Sequence, residues 1–117
     1  MKHNFLKKRS FALAVEIIYF YQKLLQQKEY VIAKQLLRSG TSVGANISES
    51  HSAQSKRDFL NKLEIALKEA RKTEYWLQLL DETNLTKIDC KQIIESTEQM
   101  IKLLVTSVNT VKTKLIT

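Results

Sequence analysis

Residues 35–50 read QLLRSGTSVGANISES. The stretch holds both glycines of the chain, Gly40 and Gly44, together with four serines, a threonine and an asparagine. Leu36, Leu37, Val43 and Ile47 nevertheless recur through it at helical spacing. It is either a loop that cradles a ligand or a helix kept thin and polar on one side. Placed on a helix, the composition sorts into faces. Leu37, Gly40, Gly44 and Ile47 share one side, with Leu36 and Val43 beside them. Glycines four apart lower the same side and let another helix approach closely. Each costs about 1 kcal/mol of helix stability relative to alanine, so two in one helix imply a steric reason. Gln35, Arg38, Ser42, Asn46 and Glu49 form a second, polar side in which neighbouring members can reach each other. Such a stripe is either a solvated face or a hydrogen-bonded seam between subunits, where polar groups fix register. Its short, mostly uncharged side chains favour the seam. A phosphate-binding glycine loop fails, because the G-x-x-x-x-G-K-[ST] pattern and a preceding strand are both missing.

The rest of the 117 residues agrees with helices. There is no proline, and sheet proteins spend proline and glycine freely in turns. The length suits one domain, residues 1–117. No apolar run approaches the roughly 18 residues of a membrane span, so no membrane association is expected. The start, MKHNFLKKRS followed by FALAVEIIYF, superficially resembles a signal peptide. Glu16 interrupts the apolar run and no small-residue cleavage site follows, so the reading is the first helix of a mature cytoplasmic protein. The single Cys90 rules out an internal disulfide and fits a reducing compartment.

Four helices are expected, at about 5–28, 30–50, 56–83 and 87–115. In the first, Phe11, Ala14, Ile18, Tyr21 and Leu25 form one apolar stripe, and Leu13, Ile17, Phe20 and Leu24 run beside it. Together they are wider than one packing partner needs. Ser55-Lys56-Arg57-Asp58 has the pattern of a capping box opening helix three. That helix continues through Phe59, Leu63, Ala66, Ala70, Thr73, Leu77 and Leu80. Thr86-Lys87-Ile88-Asp89 repeats the capping pattern before helix four, whose seam is Cys90, Ile94, Thr97, Ile101, Leu104, Val108, Val111 and Leu115. A sustained 3.5-residue period means shallow crossing angles, and short connections make successive helices antiparallel. The fold class is all-α, an up-down-up-down four-helix bundle.

Catalytic chemistry is missing. Di-iron bundles need Glu-x-x-His, and His51 follows Glu49 by two residues, not three. One cysteine and two histidines are too few for a usual zinc site. Cys90 reads as a small core residue. The aromatics Tyr19, Tyr21, Tyr30, Tyr75 and Trp76 are able to stack on bases, but Tyr75 and Trp76 are adjacent and point to different sides of helix three. The expectation is a protein without catalytic residues, metal or cofactor.

Gln35-Leu36-Leu37-Arg38-Ser39, Ser42-Val43-Gly44-Ala45-Asn46-Ile47-Ser48-Glu49, Phe59-Leu60 and Leu67-Lys68-Glu69 carry a resemblance. The chain resembles the bacterial four-helix-bundle proteins also called 23S rRNA intervening-sequence proteins or S23 ribosomal proteins, over about Phe11 to Leu104. That pattern usually continues Glu-Gly. Ser50 stands in place of the glycine, so helix two is expected to end differently, near His51 or Ser52. The resemblance implies a ring-like homopentamer and supports the subunit-seam reading of the polar stripe. It also implies kinship with accessory proteins of diversity-generating retroelements, basic barrels that bind nucleic acid and a reverse transcriptase. The family has no established catalytic residues to carry over.

The net charge of +7 is unevenly placed. Up-down-up-down topology puts both termini and the connection between helices two and three at one end. There Lys2, Lys7, Lys8, Arg9, Lys56, Arg57, Lys112 and Lys114 face only Glu49 and Asp58, which accounts for six of the seven excess charges. His3 and His51 fall in the same zone and add charge near pH 6. In a cyclic oligomer these ends share a rim that attracts phosphates without reading bases. The expected phosphate contacts are Lys7, Lys8, Arg9, Lys56, Arg57, Lys112 and Lys114, with structured RNA or DNA as partner. The alternative is a protein-interaction scaffold, such as a reverse-transcriptase partner, whose charge only assists.

Overall fold

Uninterrupted by proline, the chain runs as four long helices: α1 (Lys2–Gln26), α2 (Val31–Ser50), α3 (Lys56–Thr83) and α4 (Lys91–Ile116). The computed structural model describes residues 2–116, with side chains from 4 to 116. Each helix packs on the next, and α4 closes back on α1 to give an all-α four-helix bundle 50 Å long and about 22 Å across. Cross-helix pairs fix the directions. Gly40 lies on Ile17 and Gly44 on Ser10, so α2 runs against α1. Ser39 meets Thr73 and Glu49 meets Lys62, so α3 runs against α2. Arg9 reaches Gln99 and Glu16 reaches Ser96, so α4 runs against α1.

The connections explain where the helices stop. After Gln26 the chain closes a left-handed cap, with Lys28 at φ 61°. The Lys28 N–H donates to the Leu25 carbonyl (2.9 Å) and the Glu29 N–H to the Leu24 carbonyl (3.0 Å), a Schellman arrangement on a lysine instead of a glycine. Glu29 then caps α2 from outside. Its Oε2 accepts from the N–H groups of Ile32 (2.8 Å) and Ala33 (3.1 Å), two donors with no partner inside the helix. At α3, Ser55 Oγ accepts from the Asp58 N–H (3.0 Å). Asp58 Oδ2 returns to the Gln54 N–H (3.2 Å), one residue before the usual capping-box target. The end of α2 is the one anticipated for a chain lacking the terminal glycine: α2 stops at Ser50 and His51 closes it in right-handed geometry.

The start of α4 departs from the position at 87 that the capping pattern predicts. Thr86 caps no helix. Its hydroxyl donates to Gln27 Oε1 (2.6 Å) and accepts from the Ile88 N–H (3.1 Å), while the Lys87 N–H also donates to Gln27 Oε1 (3.0 Å). Residues 84–90 are therefore tied to the α1–α2 turn, and α4 begins only at Lys91, whose N–H is taken by Asp89 Oδ1 (3.0 Å).

The core is Leu6, Leu13, Ile17, Phe20 and Leu24 of α1; Ala33, Leu36, Val43 and Ile47 of α2; Leu60, Leu63, Ala66, Ala70, Leu77 and Leu80 of α3; and Ile93, Met100, Ile101, Leu104 and Val108 of α4, with Cys90 ahead of it. Each fully buried Leu or Ile contributes about 1.5–3 kcal/mol relative to exposure. Two expectations shift by one residue: Leu60 rather than Phe59, and Ile93 rather than Ile94, are buried. Of the two stripes on α1, only Leu13-Ile17-Phe20-Leu24 enters the core. Phe11 is 71% and Ile18 40% exposed. Trp76 packs half-buried against the core, and its neighbour Tyr75 turns outward with the rings edge to face. Among the described residues no buried side-chain nitrogen or oxygen lacks a partner.

Candidate nucleic-acid interface

Gly40 and Gly44 serve packing within the chain itself. A Cβ on Gly40 would lie 2.8 Å from Ile17 Cγ1 and Cγ2, and one on Gly44 would lie 3.3 Å from Ser10 Oγ. The glycine side of α2 is thus filled by α1. On the opposite flank of α2 the polar stripe borders α3. Gln35, Arg38 and Glu49 are exposed, while Ser42 and Asn46 are half-buried. Its members bond chiefly to their own backbone: Ser42 Oγ donates to the Arg38 carbonyl (2.7 Å) and Asn46 Nδ2 to the Ser42 carbonyl (2.9 Å). Glu49 turns to Lys62 of α3 at 3.9 Å. The side-chain ladder along the stripe suggested by its spacing is therefore replaced by backbone bonds and one cross-helix ion pair.

The end of the bundle formed by the start of α1, the close of α2, the start of α3 and the close of α4 carries the cations. Lys7 and Lys8 are exposed on the early turns of α1, and Lys56 and Arg57 are exposed on the first turn of α3. None of these four sits in a salt bridge among the described residues. Three others named from the sequence, Arg9, Lys112 and Lys114, are engaged. Arg9 Nη2 donates to Gln99 Oε1 at 2.7 Å, with the guanidinium 5.8 Å from the Phe5 ring centroid. Lys112 Nζ lies 3.3 Å from Glu64 Oε2. Lys114 is exposed on the last turn of α4. The side chains of Lys2 and His3, also counted at this end, lie outside the described residues.

A cleft that periodicity and composition do not announce lies among these cations. Ser50, His51, Ala53, Gln54, Ser55, Lys56, Phe59, Val111 and Lys114 line its volume of about 510 Å³. Phe59, which the heptad grid assigns to the core seam, is half-buried at the seam's margin and forms part of the cleft wall. The cleft opens beside the start of α3, where the helix dipole adds partial positive charge.

Cys90 is buried, and its Sγ lies 3.5 Å from the Ile88 carbonyl. Burial, and then the nearby carboxylates of Asp81 and Asp89, push the thiol up to about 11. A thiol held protonated is a poor nucleophile at neutral pH. No group of three or more His, Cys, Asp or Glu side chains converges to hold a metal among the described residues. No described helix is long and apolar enough to cross a membrane.

The profile of a family described as 23S rRNA-intervening sequence protein matches residues 2–106. A crystal structure at 1.70 Å of a protein of unknown function from the S23 ribosomal protein family of Bacteroides thetaiotaomicron VPI-5482 is 49% identical. It superposes with a TM-score of 0.87 over 93% of this chain and 99% of that one. No curated protein matches the chain.

Proposed function

The chain belongs to the 23S rRNA-intervening sequence protein family, and we propose that it is a non-enzymatic, oligomeric bundle that binds structured RNA or DNA through its basic end. The observation that carries this reading is the exposure of Lys7, Lys8, Lys56 and Arg57 at one end, outside any salt bridge among the described residues. Cations so placed exchange condensed counterions for phosphates, which makes affinity salt-dependent and indifferent to sequence. A cyclic assembly multiplies the effect by repeating the basic end around one rim. Support for assembly comes from α1, where Phe11, Val15 and Ile18 leave an apolar strip exposed in the single chain. Copies of the chain cover this strip, and the pentamer of the family resemblance is the expected ring. A reducing cytoplasm suits the buried, protonated Cys90.

The test is binding to a structured rRNA fragment and to a duplex DNA of matched length across a salt series, with the mass of the free protein measured alongside. The reading expects affinity tighter than micromolar at physiological salt, a steep salt slope and a mass several times that of the chain. Micromolar or weaker binding to both probes overturns it. The apolar α1 strip then favours the second reading, a scaffold for another protein such as a reverse transcriptase.

A further inference from the structure

The cleft among the cations has a composition that phosphate binding alone does not call for. Its about 510 Å³ is within the roughly 300–1,000 Å³ of small-ligand sites. Phe59, Val111 and Ala53 give it apolar lining, Lys56 and Lys114 bring positive charge, and Gln54 and His51 are among its polar side chains. A bare phosphate gains nothing from an aromatic ring and two aliphatic side chains. A duplex backbone presents no apolar face to meet that lining. A ligand with a flat apolar face, polar edges and an attached negative charge matches all three parts, and an unpaired nucleotide is that ligand. Phe59, Val111 and Lys114 also line an adjoining cleft of about 250 Å³ with Leu6 and Thr110, so the ring stands where two hollows meet.

Resting on the nucleic-acid reading above, we infer that this cleft captures one unpaired base at a strand end or bulge, with Phe59 stacking on it and Lys56 and Lys114 holding its flanking phosphates. Stacking on an aromatic side chain tolerates any base, because every base has a π face. The rim then positions a structured nucleic acid, and the cleft selects molecules with an unpaired nucleotide beside the helix.

Three RNA probes separate the effects: a blunt hairpin, the same hairpin with a four-adenosine 3′ overhang, and the same hairpin with a four-residue abasic overhang. Affinities are measured by fluorescence anisotropy across a salt series for the wild type and for Phe59→Leu and Phe59→Tyr. The expected result is about tenfold tighter binding of the adenosine overhang than of the abasic one. Phe59→Leu should lose that difference without changing the salt slope, and Phe59→Tyr should keep it. Equal affinity for the two overhangs, or an undiminished difference in Phe59→Leu, overturns the cleft while blunt-hairpin binding leaves the rim in place. Failure of every probe to bind overturns the rim and the cleft together.

Discussion

Gly40 sits directly against Ile17: a Cβ at Gly40 would come within 2.8 Å of both branches of the isoleucine and 3.1 Å of its Cδ1. A β-branched side chain in a helix has one strongly preferred rotamer, so Ile17 cannot swing aside cheaply. Gly40→Ala should therefore destabilise the protein by about 1–2 kcal/mol, the overpacking cost less the gain in helix propensity. The Cβ of Gly44→Ala would stand 3.3 Å from Ser10 Oγ, close enough that the Ser10 side chain must yield slightly, and the variant should stay within about 1 kcal/mol of wild type. Urea denaturation of both variants measures the contrast. A Gly40→Ala protein as stable as wild type would contradict the packing described.

Thr73 Oγ1 and Ser39 Oγ meet at 2.9 Å inside the bundle, and Thr73 also bonds to the Glu69 carbonyl at 2.8 Å. This cross-helix bond fixes α2 against α3 in an otherwise apolar layer. Thr73→Val should cost about 1 kcal/mol, because the Ser39 hydroxyl keeps only a long bond to the Leu36 carbonyl (3.4 Å). Ser39→Ala with Thr73→Val should cost less than the sum of the single changes. A double-mutant cycle reads the coupling, and strict additivity would count against the bond.

Lys28 holds a left-handed conformation at the close of α1. Glycine adopts that conformation without the side-chain clash. Lys28→Gly should raise stability by about 0.5–1 kcal/mol, a shift of a few degrees in melting temperature. A melting temperature that falls would show that the cap is not formed as described.

The Cys90 thiol titrates near 11 in the fold, above its ordinary value of 9.0. The folded state therefore holds its proton where the unfolded state has lost it. The stabilisation is complete below pH 9 and fades as pH rises from 9 towards 11. Wild type should lose stability across that window more steeply than Cys90→Ala. At about pH 7.5 the native protein should react with iodoacetamide far more slowly than the urea-unfolded chain. Equal rates would place the thiol at the surface.

Apolar periodicity made the four helices legible, because each buries a continuous face, and Ser55-Asp58 announced α3 through bonds that are local. What failed was tertiary. The two stripes of α1 look alike in sequence, but in the structure Ile17 and Ser10 turn inward onto the notches at Gly40 and Gly44 while Phe11 faces outward. Thr86 carries a capping pattern, but its hydroxyl goes to Gln27, 59 residues away, so α4 starts late. Among the cations, composition identified the basic end. It gave no sign that Gln99 holds Arg9 or that Glu64 holds Lys112, since those partners lie on other helices. Phe59 fits a heptad grid as well as Leu60 does. Which of the two is buried depends on how far α3 rotates, and that rotation places Phe59 in the cleft.

The central claim, that the exposed cations of one end bind nucleic acid, is tested most directly by replacing Lys7, Lys8, Lys56 and Arg57 together with glutamine. The measurement is the salt dependence of binding to a blunt RNA hairpin. Each phosphate left without its cation should reduce the slope of log affinity against log salt by about 0.7–0.9, so the fourfold variant should be shallower by about 3 and bind far more weakly at low salt. A variant that folds as wild type and retains both affinity and slope would contradict the account.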